Sequence, residues 1–254
     1  MSQSPIKEAD TRKEQERQFH DRIVAAGGRH SASMFYSIAE ASRSRFLSHA
    51  RELPGTVLDY GCGASGYLTA LAPSLEHVIA VDISEVSIRK AAARAEQLKL
   101  SNIEFRVGDC EALPIGDHSV DSAYGVAILH HLDLARAFGE LVRVLKPGGR
   151  AVFAEPLGHN PLVNLYRYLT PKSRTHDEHP LRTSDIVLAK RYFQTVQVEP
   201  FCLCSLLALP FLITPLFLPV LNGLAAADER VFRLLPSVRK YAWTCVITLQ
   251  SPPL

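Results

Sequence analysis

Between Thr56 and Leu249 the chain repeats one alternation, a short apolar run of strand length followed by a stretch with helical spacing. The runs are TVLDY (56–60), HVIAVD (77–82), IEFRV (103–107), VDSAYG (120–125), GRAVFAE (149–155), FQTVQVE (193–199) and AWTCVITL (242–249). Runs this short and this apolar suit strands covered on both faces, and helices between the first five suit parallel crossovers. The expected fold is α/β, a wound sheet of seven strands with helices on both faces. At 254 residues and 47% hydrophobic, the chain has enough apolar surface to cover such a sheet.

Two regions depart from the alternation. Residues 7–25 are charged and read as an amphipathic or solvated helix broken by Gly27-Gly28, and a second helical stretch runs from Ser31 to about Leu53. The expected organisation is an N-terminal helical cap over 1–54 and a main domain over 55–254, with insertions at about 157–188 and 200–235. The second departure is Phe201 to Ala227, 27 residues without one Asp, Glu, Lys, Arg or His. Its length would allow a membrane span. Pro210, Pro215 and Pro219 oppose one continuous helix, and a crossing would place the last two strands on opposite sides of a bilayer. Burial against the sheet is one outcome; a hydrophobic lid or a shallow membrane-facing hairpin is the favoured one.

Charge and cysteine narrow the function classes. Lys+Arg 28 against Asp+Glu 26 leaves +2, without the basic excess of a dedicated nucleic-acid binder. Five cysteines, an odd number with no CxxC pair, make no disulfide framework. The first residues carry no apolar signal run, so a reducing cytoplasm is expected, with contact at the inner face of a membrane through 201–227 as an option.

Three motifs carry chemistry. Val57-Leu-Asp-Tyr-Gly-Cys-Gly-Ala-Ser-Gly66 is a strand running into a glycine turn and a helix, where the missing Cβ atoms let backbone approach a ligand. Asp82 ends the second strand 21 residues after Gly61, placed to accept from two ribose hydroxyls. As an alternative, Asp82 could cap the helix beginning near Glu85, although Ser84 suits that role better. The third motif is an ordered set: Gly108-Asp-Cys-Glu-Ala-Leu-Pro114, Val120-Asp-Ser-Ala-Tyr-Gly125, Ile128-Leu-His-His-Leu132 and Leu141-Val-Arg-Val-Leu-Lys-Pro-Gly-Gly149.

With that set the sequence resembles the class I S-adenosylmethionine-dependent methyltransferases, in the small-molecule group that includes quinone C-methyltransferases, over roughly residues 55–156 and the last strand. The resemblance implies a Rossmann-like sheet whose last strand is antiparallel. It implies that Asp59, Gly61, Cys62 and Gly63 cradle the methionine part of S-adenosylmethionine, and that Asp82 holds the ribose with Ile83 against the adenine. Asp109 and Cys110 then meet the adenine amino edge, while Gly125 and Val126 face the transferred methyl.

The acceptor side is less defined. A hydroxyl or acidic-carbon acceptor needs a base, and His131, His159 and His176 are the candidates on the expected carboxyl edge of the sheet. The pair His130-His131 could equally start or line a helix with no catalytic duty. His159, His176, Glu178 and His179 have metal-ligand chemistry, but their spacing matches no familiar site, so no metal is expected. The reading is methyl transfer to a small, apolar or lipid-like acceptor, with no nucleic-acid partner. Two alternatives stay open: a nicotinamide-dependent oxidoreductase sharing the glycine turn and acid, and a non-catalytic cofactor-binding module.

Overall fold

The computed structural model describes residues 12–19, 21–22, 37–64, 66–171 and 178–252. Gly27-Gly28 and His176 lie outside these residues. All seven expected strands form: β1 Thr56–Tyr60, β2 His77–Asp82, β3 Ile103–Val107, β4 Val120–Val126, β5 Leu145–Pro156, β6 Thr195–Phe201 and β7 Thr244–Gln250. They make one sheet in the order β3-β2-β1-β4-β5-β7-β6. The first five are parallel, and β7 runs antiparallel to both β5 and β6. The chain winds outward from β1 to β3, then returns to lay β4 beside β1. That reversal opens a crevice at the carboxyl ends of β1 and β4.

Side-chain alternation feeds a separate core on each face. Leu58, Tyr60, Ile79 and Val81 pack on one side with Phe138, Leu141 and Phe193. Val57, Val78 and Ala80 pack on the other with Phe46, Leu68 and Val246. The helix Leu134–Val144 buries Leu134, Ala137, Phe138, Leu141 and Val144, and Asp133 caps it by accepting from the Ala135 and Arg136 amides. Helix Glu40–Arg51 buries Phe46, Leu47 and Ala50 in the core that also holds β1. Phe46 meets Tyr67 edge-on at 5.7 Å.

The uncharged segment is neither one helix nor wholly core. A 3-10 helix, Cys204–Phe211, leads to the helix Phe217–Leu234. Among the described residues no helix is long and apolar enough to cross a membrane. Leu206, Phe217 and Leu221 join Ile38, Val163 and Trp243 in a third, smaller core. Buried Asp228 ties the connection down, accepting from the Leu203, Cys204 and Ser205 amides and from Ser205 Oγ. Because β6 runs parallel to β5, the connection leaves from the same sheet edge as the crevice.

Candidate active site

The turn after β1 is built on backbone that other residues adopt only under strain. Gly61 has φ +74° and Gly63 φ +54°. A Cβ on Gly61 would stand 2.6 Å from Ile128 Cδ1. The Gly61 and Cys62 amides both donate to Val81 O, at 3.0 and 2.9 Å, which stitches the turn to β2. Asp82 extends that stitching. Its Oδ2 accepts from the Gly63 amide and its Oδ1 from the Ser84 amide, both at 2.8 Å. Ser84, not Asp82, caps helix Glu85–Gln97, accepting from the Ser87 amide at 3.0 Å.

The crevice is a cavity of about 270 Å³. Asp59, Gly61, Cys62 and Gly63 line one part of it, Asp82, Ile83, Asp109 and Cys110 another, and Val126 and His131 a third. Of the residues that the resemblance assigned to the cofactor, Gly125 alone is outside this lining. The space a Cβ would need there is filled by Ile128 and Phe153. No residue of Phe201–Ala227 lines the cavity.

Burial sets the protonation of the groups at its floor. Asp59 is buried, which pushes its carboxyl up to about 7 against the opposing hydrogen bond from Tyr124 Oη at 2.8 Å. Burial also raises the Cys62 and Cys110 thiols well above their ordinary range, so neither is a thiolate nucleophile.

A wall of the cavity comes from an unexpected place. Residues 12–19 form a helix whose Arg12, Lys13 and Glu16 line the site. Lys13 Nζ lies 2.5 Å from Asp109 Oδ2 and 3.1 Å from Glu111 Oε2, and Arg12 pairs with Glu111. Glu16 Oε1 lies 2.6 Å from His131 Nδ1. Further along, Ser84 Oγ donates to Asp21 at 2.5 Å. Of the two expectations for this charged stretch, amphipathic or solvated, its described part follows the first and turns one face onto the acids and the histidine of the site.

The three candidate bases part company. His131 is in the cavity wall, and its ring centroid lies 4.1 Å from that of His130 with the planes tilted by 37°. His130 is buried beneath it, with Nδ1 2.7 Å from Glu155 Oε2. Burial drives His130 well below its ordinary range, so it stays neutral, while Glu155 is pushed up to about 7 by burial against the Leu129 and Ile128 amides that donate to it. His159 lies outside the cavity lining and accepts from the Thr183 amide at 3.1 Å. His176 falls outside the described residues. Among the described residues, His130, His131 and Glu178 offer ligand atoms within 4.8 Å of one another, and Arg167 pairs with Glu178 at 2.6 Å there.

A family profile described as a methyltransferase domain matches residues 58–153, from the middle of β1 to β5. That span carries a class I methyltransferase domain. The chain is 30% identical over 131 residues to the uncharacterized methyltransferase YcgJ of Bacillus subtilis, covering 51% of each chain. It is 37% identical over 119 residues to 24-methylenesterol C-methyltransferase 2 of Oryza sativa, covering 46% of this chain and 32% of that one. The matched part therefore spans 32% to 51% of the length of these curated relatives. In fold, the methyltransferase domain and its flanks match the N-methyltransferase NodS of Bradyrhizobium japonicum, solved with S-adenosylhomocysteine, at a TM-score of 0.63 and 15% identity, over 93% of this chain and 98% of that one.

Proposed function

We propose that the chain transfers a methyl group from S-adenosylmethionine to a small, apolar acceptor. The observation that carries this is the cavity at the β1–β4 crevice, where a turn with glycine at 61 and 63 meets three acidic side chains, Asp59, Asp82 and Asp109. The residues fit the cofactor. Carboxylates suit a ligand bearing an ammonium group, ribose hydroxyls and an adenine amine, and glycine backbone admits it closely. Asp59, Gly61, Cys62 and Gly63 would hold the methionine part, Asp82 and Ile83 the nucleoside, and Asp109 with Cys110 the base edge. When bound, S-adenosylmethionine supplies an electrophilic methyl on a sulfonium.

The chain's own contribution is mainly alignment, and positioning alone lowers a barrier by several kcal/mol. For a hydroxyl or acidic-carbon acceptor, His131 takes the proton. Glu16 Oε1, 2.6 Å from Nδ1, is the charged group placed to orient the ring, which assigns the proton-accepting role to Nε2. An apolar acceptor is supported by the Tyr67, Val126, Ile128 and Leu132 side of the cavity and by the apolar elements on the same sheet edge. The sterol-methylating relative agrees with that chemistry.

The test is incubation of the protein with methyl-labelled S-adenosylmethionine and fractionated cell extract. Label entering the organic-soluble fraction supports the reading, and label confined to polar metabolites overturns the apolar acceptor. A parallel titration with NAD separates the oxidoreductase alternative, which requires tighter binding of the dinucleotide than of S-adenosylhomocysteine.

A further inference from the structure

The uncharged segment contributes nothing to the cavity lining, yet it is one of two elements that each leave several large apolar side chains exposed. Helix Pro161–Leu169 is the other. It buries only Val163 and leaves Leu162, Leu165, Tyr166 and Leu169 exposed at the spacing of one helical stripe. Val163 belongs to the same third core as Leu206, Phe217 and Leu221, so this helix and the connection are anchored on one small core. On the connection Leu207, Ile213, Leu216 and Leu218 are exposed, Ile213 to 85%. An apolar surface of this extent on a folded chain has a partner.

We infer that this face docks shallowly on an anionic lipid bilayer. Two observations favour lipid over protein. The first is that three polar side chains of these elements turn back on nearby backbone. Thr214 Oγ1 donates to Phe211 O at 2.8 Å, Thr170 Oγ1 to Tyr166 O at 2.7 Å, and Asn164 Nδ2 to Gly158 O at 2.9 Å. Polar groups satisfied internally are what hydrocarbon requires, whereas a protein partner is met by outward donors and acceptors.

The second is the rim. Asn160 Nδ2 donates to Tyr241 O at 2.7 Å, which fixes exposed Tyr241 at the start of the exposed helix, and Lys240 Nζ sits 5.0 Å over its ring. Along the chain from the connection, Arg230, Arg233, Arg239 and Lys240 are exposed against Glu229 alone, Asp228 being buried. A tyrosine and a lysine at the start of the exposed helix, with further exposed arginines following the connection, match a headgroup layer carrying negative charge. The prolines and the short helices suit insertion to the depth of the headgroup and upper acyl region, about 5–10 Å, and no deeper. This face lies on the carboxyl edge of the sheet, so an acceptor held in the bilayer would be presented on the side where the cavity opens. The inference deepens the apolar-acceptor reading, but its test needs neither cofactor nor acceptor.

The experiment is flotation of the full chain with vesicles of phosphatidylcholine alone and of equal parts phosphatidylcholine and phosphatidylglycerol, with sedimentation of the lipid-free protein beside it. Wild type is expected to float with the anionic vesicles and to be released by salt or by omission of phosphatidylglycerol. Ile213→Asp and Leu165→Asp should each lower the bound fraction by about tenfold or more, while S-adenosylhomocysteine affinity, measured by calorimetry, stays unchanged and reports that the variants are folded. Wild type remaining unbound with both vesicles overturns the inference. So does a lipid-free dimer that either Asp variant splits, since the face would then belong to a second copy of the chain. Loss of cofactor binding in wild type, with flotation intact, would overturn the methyltransferase reading and leave the docking face standing.

Discussion

Glu16 Oε1 lies 2.6 Å from His131 Nδ1, joining a helix at the start of the chain to the turn after β4. The contact holds only while the helix is seated, and the seat is made by Lys13 on Asp109 and Arg12 on Glu111. The state of the proposed base is thereby coupled to the acids of the cofactor wall. Replacing Glu16 by Ala should lower kcat about tenfold, a modest share of what general-base catalysis supplies, and Glu16→Asp should recover part of it. The structural readout is the neutral ring of His131, which long-range nitrogen–proton NMR correlations should show protonated at Nδ1 in wild type and shifted toward Nε2 in the Ala variant. An unchanged tautomer would remove the orienting role from Glu16.

Gly61 is the turn position with the least room. Gly61→Ala demands the left-handed region at φ +74° and a methyl 2.6 Å from Ile128 Cδ1. The backbone cost is about 1–2 kcal/mol and the overpacking about 1–3 kcal/mol. Urea denaturation should show a loss of that order, together with weakened S-adenosylhomocysteine binding, because Ile128 is displaced toward the cavity. A variant as stable as wild type and binding as tightly would show that the turn is not closed against Ile128.

Asp59 makes stability depend on pH in an uncommon direction. Its carboxyl is pushed from 3.8 up to about 7 in the folded chain by burial. A raised acid binds its proton more tightly when folded, so its stabilising contribution is complete below the unfolded value and is lost as pH rises through about 7. Asp59→Asn keeps an acceptor for Tyr124 Oη and removes the titration. The fall in unfolding free energy between pH about 5 and about 7 should therefore be shallower in the variant than in wild type, by up to about 1.4 kcal/mol for each step of one in pH. The residual slope includes Glu155, raised to about 7 for the same reason, and buried His130, whose lowered value acts in the opposite direction. Parallel pH profiles for the two proteins would contradict the assignment.

The parts of the fold that are legible in the sequence are those governed by local pattern. Buried strands such as TVLDY and HVIAVD announce themselves because both faces are covered, and Ser84 is recognisable as a cap because the helix start is local. The glycine turn and Asp82 are legible for the same reason, 21 residues apart in adjacent strands. Arg12, Lys13 and Glu16 are not, because their partners lie about a hundred positions away and a charged helix facing acids reads the same as one facing water. Glu155 escapes a sequence reading as well. Only the fold shows that the carboxylate near the end of β5 receives two amides from the turn after β4 and the ring of His130. The segment 201–227 is legible as apolar, but its division into a packed half and an exposed half depends on Val163 and Trp243, which no spacing rule connects to it.

Calorimetric titration of S-adenosylhomocysteine into wild type and Asp82→Ala tests the central claim, that the β1–β4 crevice is a cofactor site, most directly. Asp82 holds the Gly63 and Ser84 amides and is the proposed ribose acceptor, so its loss should leave buried polar groups unmatched at about 1–3 kcal/mol. Wild type should bind at one site per chain, and the variant should bind about tenfold or more weakly. Equal affinity in the two proteins, or no binding by wild type, would contradict the account.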